Sequence, residues 1–212
     1  MAESVYELLR KPFPVNDLKW RVGNTYERQG SKMANMLVYI DARTVQDRLD
    51  EIFTPAGWQF ETRSIESYNR GNRTVTIIGR LGIRINDEWI WKEDGAENSD
   101  IEAAKGGISD AFKRAAVQWG IGRYLYDASD FNTSVPFTSN FTCYSDNKRA
   151  LDTIAFKLTL KALDKYGHNT MNSYILSLKT PEQVKFISNL NREMFGNKYD
   201  TIAKELLDKM EA

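Results

Sequence analysis

The stretch from Asp100 to Asp127 reads DIEAAKGGISDAFKRAAVQWGIGRYLYD, and it decides the fold. From about Asp100 to Trp119 its apolar residues recur at close to 100° per residue, which predicts one amphipathic helix. Its apolar stripe consists of Ile101, Ala104, Ile108, Ala111, Phe112, Ala115 and Trp119. Two adjacent cations, Lys113 and Arg114, point well away from that stripe. We therefore predict a helix that is buried on one side and carries two outward cations.

Two glycines, Gly106 and Gly107, interrupt the predicted helix. Each glycine destabilises a helix interior by roughly 1 kcal/mol relative to alanine. The sequence leaves two explanations open. Either the helix begins later than Asp100, or a neighbouring backbone approaches too closely to leave room for a side chain.

In the residues before the helix, apolar and polar side chains alternate, as they do in the strands of an antiparallel sheet. From Thr74 to Ile85, the residues Val75, Ile77, Leu81, Ile83 and Ile85 share one face, and Thr76, Arg80 and Arg84 share the other. One apolar and one charged face predict a strand that is half open to solvent. Asn86-Asp87 predicts a turn into a second strand at Trp89. Further strands are predicted at 18–22, 33–40 and 58–65, and a helix at 45–53. We therefore predict an α+β fold, with three to five antiparallel strands packed on the long helix.

The residues after the helix change in composition. The segment from Ser129 to Ser145 is rich in Ser, Thr, Asn and Phe, and we interpret it as a linker. Three helices are predicted beyond it. Gly167 ends the first, and Thr180-Pro181-Glu182-Gln183 begins the second with a capping box. The predicted organisation is an annealing domain at 1–130, a linker at 131–146 and a C-terminal helical region at 147–212.

Composition excludes several classes of protein. The 212 residues include one cysteine and one histidine, so an intramolecular disulfide and a zinc site of cysteines and histidines are both excluded. No apolar run reaches the roughly 18 residues of a membrane helix, and no secretory signal is evident. We expect a cytoplasmic protein without a cofactor, in the bacterial host's cytoplasm if a phage encodes it. The net charge is zero, so any basic surface must be local.

Enzyme motifs are weak in this sequence. A phosphate-binding Gly-x-x-x-x-Gly-Lys loop is missing, and Gly120-Ile121-Gly122-Arg123 lacks the third glycine of a dinucleotide fold. The acidic cluster from Asp87 to Asp100 could hold Mg²⁺, although Glu88 and Lys92 are not spaced as in a nuclease. We expect no enzymatic activity. A metal-dependent nuclease and a non-enzymatic oligomeric adaptor remain the alternatives.

Two motifs carry a resemblance to a known family. Ser109-Asp110-Ala111-Phe112-Lys113-Arg114-Ala115-Ala116, followed by Trp119-Gly120-Ile121-Gly122-Arg123-Tyr124-Leu125-Tyr126-Asp127, resembles the signature of the Rad52/Sak family of single-strand annealing proteins. The second motif is most similar to the phage and prophage recombinases. The resemblance covers about Leu18 to Asp127 and does not extend to the C-terminal helices.

The resemblance implies which residues bind DNA. Lys113 and Arg114 match helix cations that hold a single strand, and Lys105 matches a lysine earlier on the helix. Arg28 and Tyr39 match an arginine and a tyrosine that line the same groove. Some members carry an arginine where this chain has Val117, a charge that Arg123 could replace. Alternative roles stay open for three residues: a solvated turn for Arg28, a core aromatic for Tyr39 and a helix C-terminal charge for Arg123.

The resemblance also implies a function. It implies ATP-independent binding of single-stranded DNA and annealing of complementary strands, in homologous recombination or repair. It implies a homo-oligomer of many subunits, either a ring or a helical array. A basic hairpin bearing Arg80 and Arg84 could meet the acidic loop of a neighbouring subunit. A second site for double-stranded DNA, and a host single-strand binding protein as a partner, are left open.

Overall fold

Eight α-helices and two three-stranded sheets form within the residues that the computed structural model describes, 4–69, 72–98 and 104–211. The strands are β1 (Lys19–Arg28), β2 (Ser31–Tyr39), β3 (Trp58–Asn69), β4 (Asn72–Ile85), β5 (Glu88–Asn98) and β6 (Ser134–Pro136). The α-helices are α1 (Val5–Arg10), α2 (Ala42–Phe53), α3 (Ala104–Gln118), α4 (Cys143–Asp146), α5 (Lys148–Tyr166), α6 (His168–Leu176), α7 (Pro181–Phe195) and α8 (Asp200–Glu211). The predicted α+β class is confirmed.

The chain divides into two compact units. The first consists of Met1–Lys11 with Tyr39–Arg123, and the second of Pro12–Val38 with Tyr124–Ala212. These units do not coincide with the boundaries predicted at 130 and 146, which stay a prediction about functional domains. The segment predicted as a linker, 131–146, contains β6 and α4. It also buries Val135 and Cys143, because apolar side chains between its polar residues pack into the second unit.

In the first unit, α3 packs on one face of the sheet β3-β4-β5. The pairing is antiparallel throughout, from Trp58↔Ile83 in one pair of strands to Ile85↔Glu88 in the other. Phe112 fills the space between helix and sheet, with its ring centroid 4.8 Å from that of Phe60. Leu81 on β4 is fully buried beneath the helix, and its carbonyl oxygen accepts a hydrogen bond of 3.2 Å from Trp119 Nε1. On the apolar face predicted for this strand, Leu81 and Ile83 are therefore core residues, whereas Val75, Ile77 and Ile85 are half-buried.

The predicted apolar stripe of α3 is buried only in part. Ala111, Phe112, Ala115 and Trp119 are buried, whereas Ile108 is 44% exposed. The prediction for Ile108 is wrong, because periodicity shows which side of a helix is apolar but not how far a partner covers that side. Ile101 and the side chain of Ala104 lie outside the described residues.

The close approach between helix and sheet lies at Gly79 on β4 and not at Gly106. A Cβ atom added at Gly79 would lie 2.7 Å from the carbonyl oxygen of Ala111, whereas one added at Gly106 would meet nothing within 4 Å. Gly79 therefore lets the α3 backbone rest on the sheet. The backbone approach suggested for the pair Gly106-Gly107 is therefore wrong at Gly106 and stays a prediction at Gly107, which is buried. The helix start near Asp100 lies outside the described residues.

Alanine at these two glycines should have opposite effects on stability. We expect Gly79→Ala to lower the free energy of unfolding by about 1–3 kcal/mol, since a backbone must move to admit the methyl group. We expect Gly106→Ala to raise it by up to about 1 kcal/mol through helix propensity alone. Urea denaturation followed by circular dichroism measures both. Equal effects of the two substitutions would contradict the packing of α3 on β4.

The second unit combines the sheet β1-β2-β6 with the C-terminal helices. β6 pairs with β2 in antiparallel register, with Ala34 opposite Val135. Helices α5 to α8 bury a separate apolar cluster: Leu160, Leu163, Met171, Ile175, Val184, Ile187, Leu190, Tyr199 and Ala203. Helix α6 was not predicted, because Gly167 ends α5 and α6 begins at the next residue without a spacer. None of the described helices has the length and apolar character needed to cross a bilayer.

The predicted start of α7 is confirmed in detail. The Thr180 hydroxyl accepts a hydrogen bond of 3.3 Å from the backbone N–H of Gln183, and the Gln183 side chain accepts one from the backbone N–H of Thr180. This reciprocal pair satisfies two donors that the first turn of a helix otherwise leaves free. Pro181 occupies the first helical position, where no N–H is needed.

Candidate nucleic-acid interface

Helix α3 carries polar side chains outside its buried stripe, on a side that borders solvent and the edge strand β5. We call this side the α3 outward face and define it by Lys113, Arg114 and Gln118. Lys113 is half-buried, with 26% of its side chain exposed, and its Nζ lies 3.6 Å from Asp110 Oδ1 on the preceding turn. The same nitrogen lies 5.6 Å from the centroid of the half-buried Tyr39 ring, at the end of β2. The structure thus places two of the predicted site residues, Lys113 and Tyr39, together.

Arg114 is anchored to the neighbouring strand. Its Nη2 donates to Asp94 Oδ1 on β5 at 3.2 Å, and 44% of its side chain is exposed. The other Asp94 oxygen accepts a hydrogen bond of 3.0 Å from Gln118 Nε2. Burial raises the pKa of Asp94, but hydrogen bonds from Gln118, the Gly95 N–H and Arg114 outweigh it, so that this pKa lies below its ordinary value. Asp94 therefore stays ionised and fixes Arg114 on the outward face.

The ion pairs of Lys113 and Arg114 leave both cations available to an anion. Pairs between exposed side chains contribute only about 0–1 kcal/mol, because solvent screens them. A phosphate can replace such a carboxylate with charge-assisted hydrogen bonds of its own. The pairs thus orient the two cations without withdrawing their charge from the surface.

Arg123 lies at the C-terminal end of α3 and binds its last carbonyls. The guanidinium donates to Val117 O from Nε at 3.0 Å and from Nη2 at 2.7 Å, and to Gln118 O from Nη2 at 2.9 Å. The last carbonyls of a helix have no partner within it, and Val117 O accepts a further hydrogen bond of 2.9 Å from the Gly120 N–H. The geometry matches the helix C-terminal role that the sequence left open for Arg123. The residue is nevertheless exposed.

Two predicted site residues are not part of this arrangement. Arg28 is the last residue of β1, in the second unit, and precedes the turn at Gln29 and Gly30, both of which have positive φ. It is exposed and makes no side-chain hydrogen bond or ion pair with any residue that the structure describes. Lys105 belongs to α3, but its side chain lies outside the described part of the chain.

Lys92 on β5 also reaches α3, which the sequence did not predict. Its Nζ donates to Gln118 O at 2.9 Å and lies 4.5 Å from the centroid of the Trp119 ring. Lys92 pairs with Leu81 in the sheet, so it points to the helix side. Burial, followed by the nearby charge of Arg123, lowers the pKa of the Lys92 amine. Because side chains alternate along a strand, the sequence could have predicted that Lys92 lies on the face opposite to Trp89 and Trp91. Only the register of β5 shows that Lys92 contacts α3.

Most of the acidic cluster predicted as a loop lies instead on strand β5, after the turn at Asp87, and Asp100 lies outside the described residues. Alternation sends its acids to opposite sides of the sheet, where Glu93 pairs with Arg63 at 3.1 Å and Asp94 with Arg114. The interpretation as an acidic loop is wrong, because Asn86 and Asp87 make a tight turn with positive φ that extends the hairpin. The described residues contain no group of three or more His, Cys, Asp or Glu arranged to hold a metal ion.

Comparison with known proteins places this chain in a family. The model of the Rad52/22 family, described as double-strand break repair proteins, matches residues 2–139, which include β1 to β6 and α3. The chain belongs to the Rad52/22 family. The resemblance carried by the sequence motifs is thereby confirmed. The matched region ends before α4, so helices α4 to α8 lie outside it.

Two curated relatives carry the same printed name. The single-stranded DNA-binding protein DdrA of Deinococcus deserti is 40% identical over 125 residues, 58% of this chain and 57% of that protein. The protein of the same name from Deinococcus radiodurans is 38% identical over 125 residues, 58% of this chain and 55% of its own length. This Rad52/22 family chain therefore spans little more than half the length of the relatives it matches.

Proposed function

We propose that this protein binds single-stranded DNA and anneals complementary strands in recombination or repair, without nucleotide hydrolysis. The observation that carries the proposal is the pair of outward cations Lys113 and Arg114, on a helix that is otherwise packed against the sheet. Two further findings support it. The matched part of the chain includes this helix, and two relatives are named single-stranded DNA-binding proteins.

The proposed mechanism begins with exchange of partners on the α3 outward face. Backbone phosphates displace the carboxylates of Asp110 and Asp94 from Lys113 and Arg114. Condensed counterions leave the strand, which favours binding at any sequence. With the phosphates held by the protein, the bases stay unpaired and accessible. A second strand then samples registers by base pairing, and pairing supplies the free energy of annealing.

The other predicted residues have supporting roles in the proposal. Tyr39 lies beside Lys113 and offers a ring on which a base or sugar can rest. Arg28, Lys105 and Arg123 are proposed as further phosphate contacts. A second site for double-stranded DNA and recruitment of a host single-strand binding protein by residues 147–212 are further parts of the proposal that no contact among the described residues tests. The likeness to phage recombinases rests on the motif from Trp119 to Asp127, and the cytoplasmic location is proposed because two relatives are named DNA-binding proteins.

A salt titration of single-strand binding tests the proposal. Fluorescence anisotropy of a labelled oligonucleotide gives the affinity at each salt concentration. The logarithm of the binding constant should fall linearly with the logarithm of salt, by about 0.7 for every phosphate neutralised. A duplex of the same length serves as a comparison. An affinity that is independent of salt would rule out binding led by phosphates.

Assembly into a ring or helical array is a separate part of the proposal. Arg80 and Arg84 were predicted to meet an acidic loop of a neighbouring subunit. Each has a partner within its own chain: Arg80 Nη1 lies 3.5 Å from Glu61 Oε2, and Arg84 Nη2 lies 3.0 Å from Asp87 Oδ1. Both arginines remain about half exposed, so a neighbouring subunit can still reach them.

Charge reversal at the two arginines tests this interface. We expect Arg80→Glu with Arg84→Glu to lower the mass measured by light scattering, because reversed charges repel the acids of a neighbouring subunit. The control is Lys185→Glu with Arg192→Glu on α7, which makes the same change in net charge outside the matched region. An unchanged mass, with the circular dichroism of the folded protein, would remove these arginines from the interface.

A further inference from the structure

Two cations converge at the C-terminal end of α3. Lys92 Nζ and Arg123 Nη2 each donate to the carbonyl oxygen of Gln118 at 2.9 Å. Because they share one acceptor, the two nitrogens lie at most twice that distance apart. The cations come from different elements: Lys92 from β5, and Arg123 from the start of the 3-10 helix Arg123–Asp130 that follows α3. Both residues are exposed. We call this pair the helix-end pair.

The helix-end pair has more positive charge than its surroundings neutralise. Most described cations of the first unit have a carboxylate partner, as Arg63, Arg80 and Arg114 do. Lys92 and Arg123 form no ion pair with any residue that the structure describes. The C-terminus of a helix supplies only about half an elementary charge, against two full positive charges. An anion at this point would relieve the remaining repulsion.

The unused hydrogen-bond donors of the helix-end pair also favour binding of an anion. An ammonium group has three donors and a guanidinium has five. Lys92 uses one of its donors on Gln118 O, and Arg123 uses its Nε and Nη2 on α3 carbonyls. Donors therefore remain on both side chains. A phosphate has several acceptor oxygens on one centre, so it can accept hydrogen bonds from both side chains at once.

We propose that Lys92 and Arg123 together bind a backbone phosphate of the same DNA strand that Lys113 and Arg114 hold. Gln118 follows Arg114 by four residues, about 6 Å along the helix axis. About one turn of α3 thus separates the backbone of Arg114 from that of Gln118, whose carbonyl oxygen the helix-end pair binds. The strand runs along the α3 outward face, and the helix-end pair lies at the C-terminal end of its path. Arg123 keeps its role at the helix terminus and gains a ligand, and Lys92 becomes a DNA contact.

This inference rests on the proposed function, and the experiment separates the two. The test variant is Lys92→Gln with Arg123→Gln, which removes both charges and keeps an amide donor at each position. The control variant is Lys185→Gln with Arg192→Gln on α7, where both cations are exposed and paired with acids. Anisotropy titrations with a labelled single-stranded oligonucleotide at several salt concentrations give an affinity and a salt slope for each protein. Thermal denaturation verifies the fold.

We expect the test variant to bind roughly 10-fold more weakly at low salt, the scale of one charge-assisted contact. Its salt slope should be shallower by about 0.7, the value for one phosphate. The control variant should match the wild type. Wild-type affinity, or a weaker affinity with an unchanged slope, overturns the helix-end pair as a phosphate site. If the double variant unfolds, Lys92→Gln alone, which keeps the Arg123 contacts, is judged by the same two criteria.

Failure of the proposed function gives a different binding result from failure of this inference. A wild-type protein that does not bind single strands at all refutes the proposed function together with this inference. Binding that is lost in Lys113→Ala with Arg114→Ala but unchanged in the test variant refutes only the role of the helix-end pair. The two results therefore cannot be confused.

Discussion

Replacing Lys113 and Arg114 together by alanine should abolish the proposed annealing activity and leave the protein folded. This is the largest functional effect that we expect from any two substitutions. Both side chains lie on the outward face of α3, and their ion pairs with Asp110 and Asp94 contribute little to stability. Alanine also has the highest helix propensity, so α3 should persist. Loss of two charge-assisted phosphate contacts should weaken single-strand binding by about 100-fold.

A fluorescence assay with two labelled complementary strands measures this effect. The rate of strand annealing should fall to that of DNA alone, while circular dichroism and the melting temperature stay near those of the wild type. Lys185→Ala with Arg192→Ala, on α7, makes the same charge change and should anneal normally. Normal annealing by a folded Lys113→Ala, Arg114→Ala protein would refute the assignment of the α3 outward face.

Phe112→Ala has the largest expected effect on stability. Phe112 is 4% exposed, and its ring contacts Phe60 edge-to-face and lies 5.9 Å, centroid to centroid, from the Trp58 ring. Truncation removes this burial and leaves a cavity between helix and sheet. Such changes lower the free energy of unfolding by about 3–5 kcal/mol. We expect the variant to unfold at much lower urea concentration than the wild type.

The matched control for this truncation lies one turn earlier on the same helix. Ile108 is 44% exposed, and Ile108→Ala should change stability by no more than about 0.5 kcal/mol. Urea denaturation of the three proteins gives the comparison directly. If Phe112→Ala is no more destabilising than Ile108→Ala, the packing of α3 on the sheet is incorrect. Single-strand affinity of the folded Ile108 variant should stay at the wild-type level.

Much of the fold follows from periodicity alone. The alternation in β4 correctly predicts which side is buried, because side chains of a strand point in turn to opposite faces. The α7 start is equally predictable, because its capping box involves residues three apart in sequence. Helix α6 and strand β6 could not be predicted in the same way. They are short, and their burial depends on the rest of the second unit and not on a pattern of their own.

The sequence predicts the cations of the candidate site but not the residues that contact them. Lys113 and Arg114 follow from a helical pattern and a family motif. Asp94, which orients Arg114, comes from another strand, and only the register of β5 brings it there. The same holds for Lys92, whose contact with Gln118 depends on how α3 lies on the sheet. Contacts between elements distant in sequence therefore required the structure.

The most direct test of the central claim is strand annealing by the wild-type protein. Two complementary labelled single strands are mixed with the purified protein, without nucleotide or metal ion, at low salt. We expect annealing much faster than that of DNA alone, with a loss of this acceleration as salt rises. Annealing no faster than that of DNA alone, by a folded protein at low salt, would contradict the central claim.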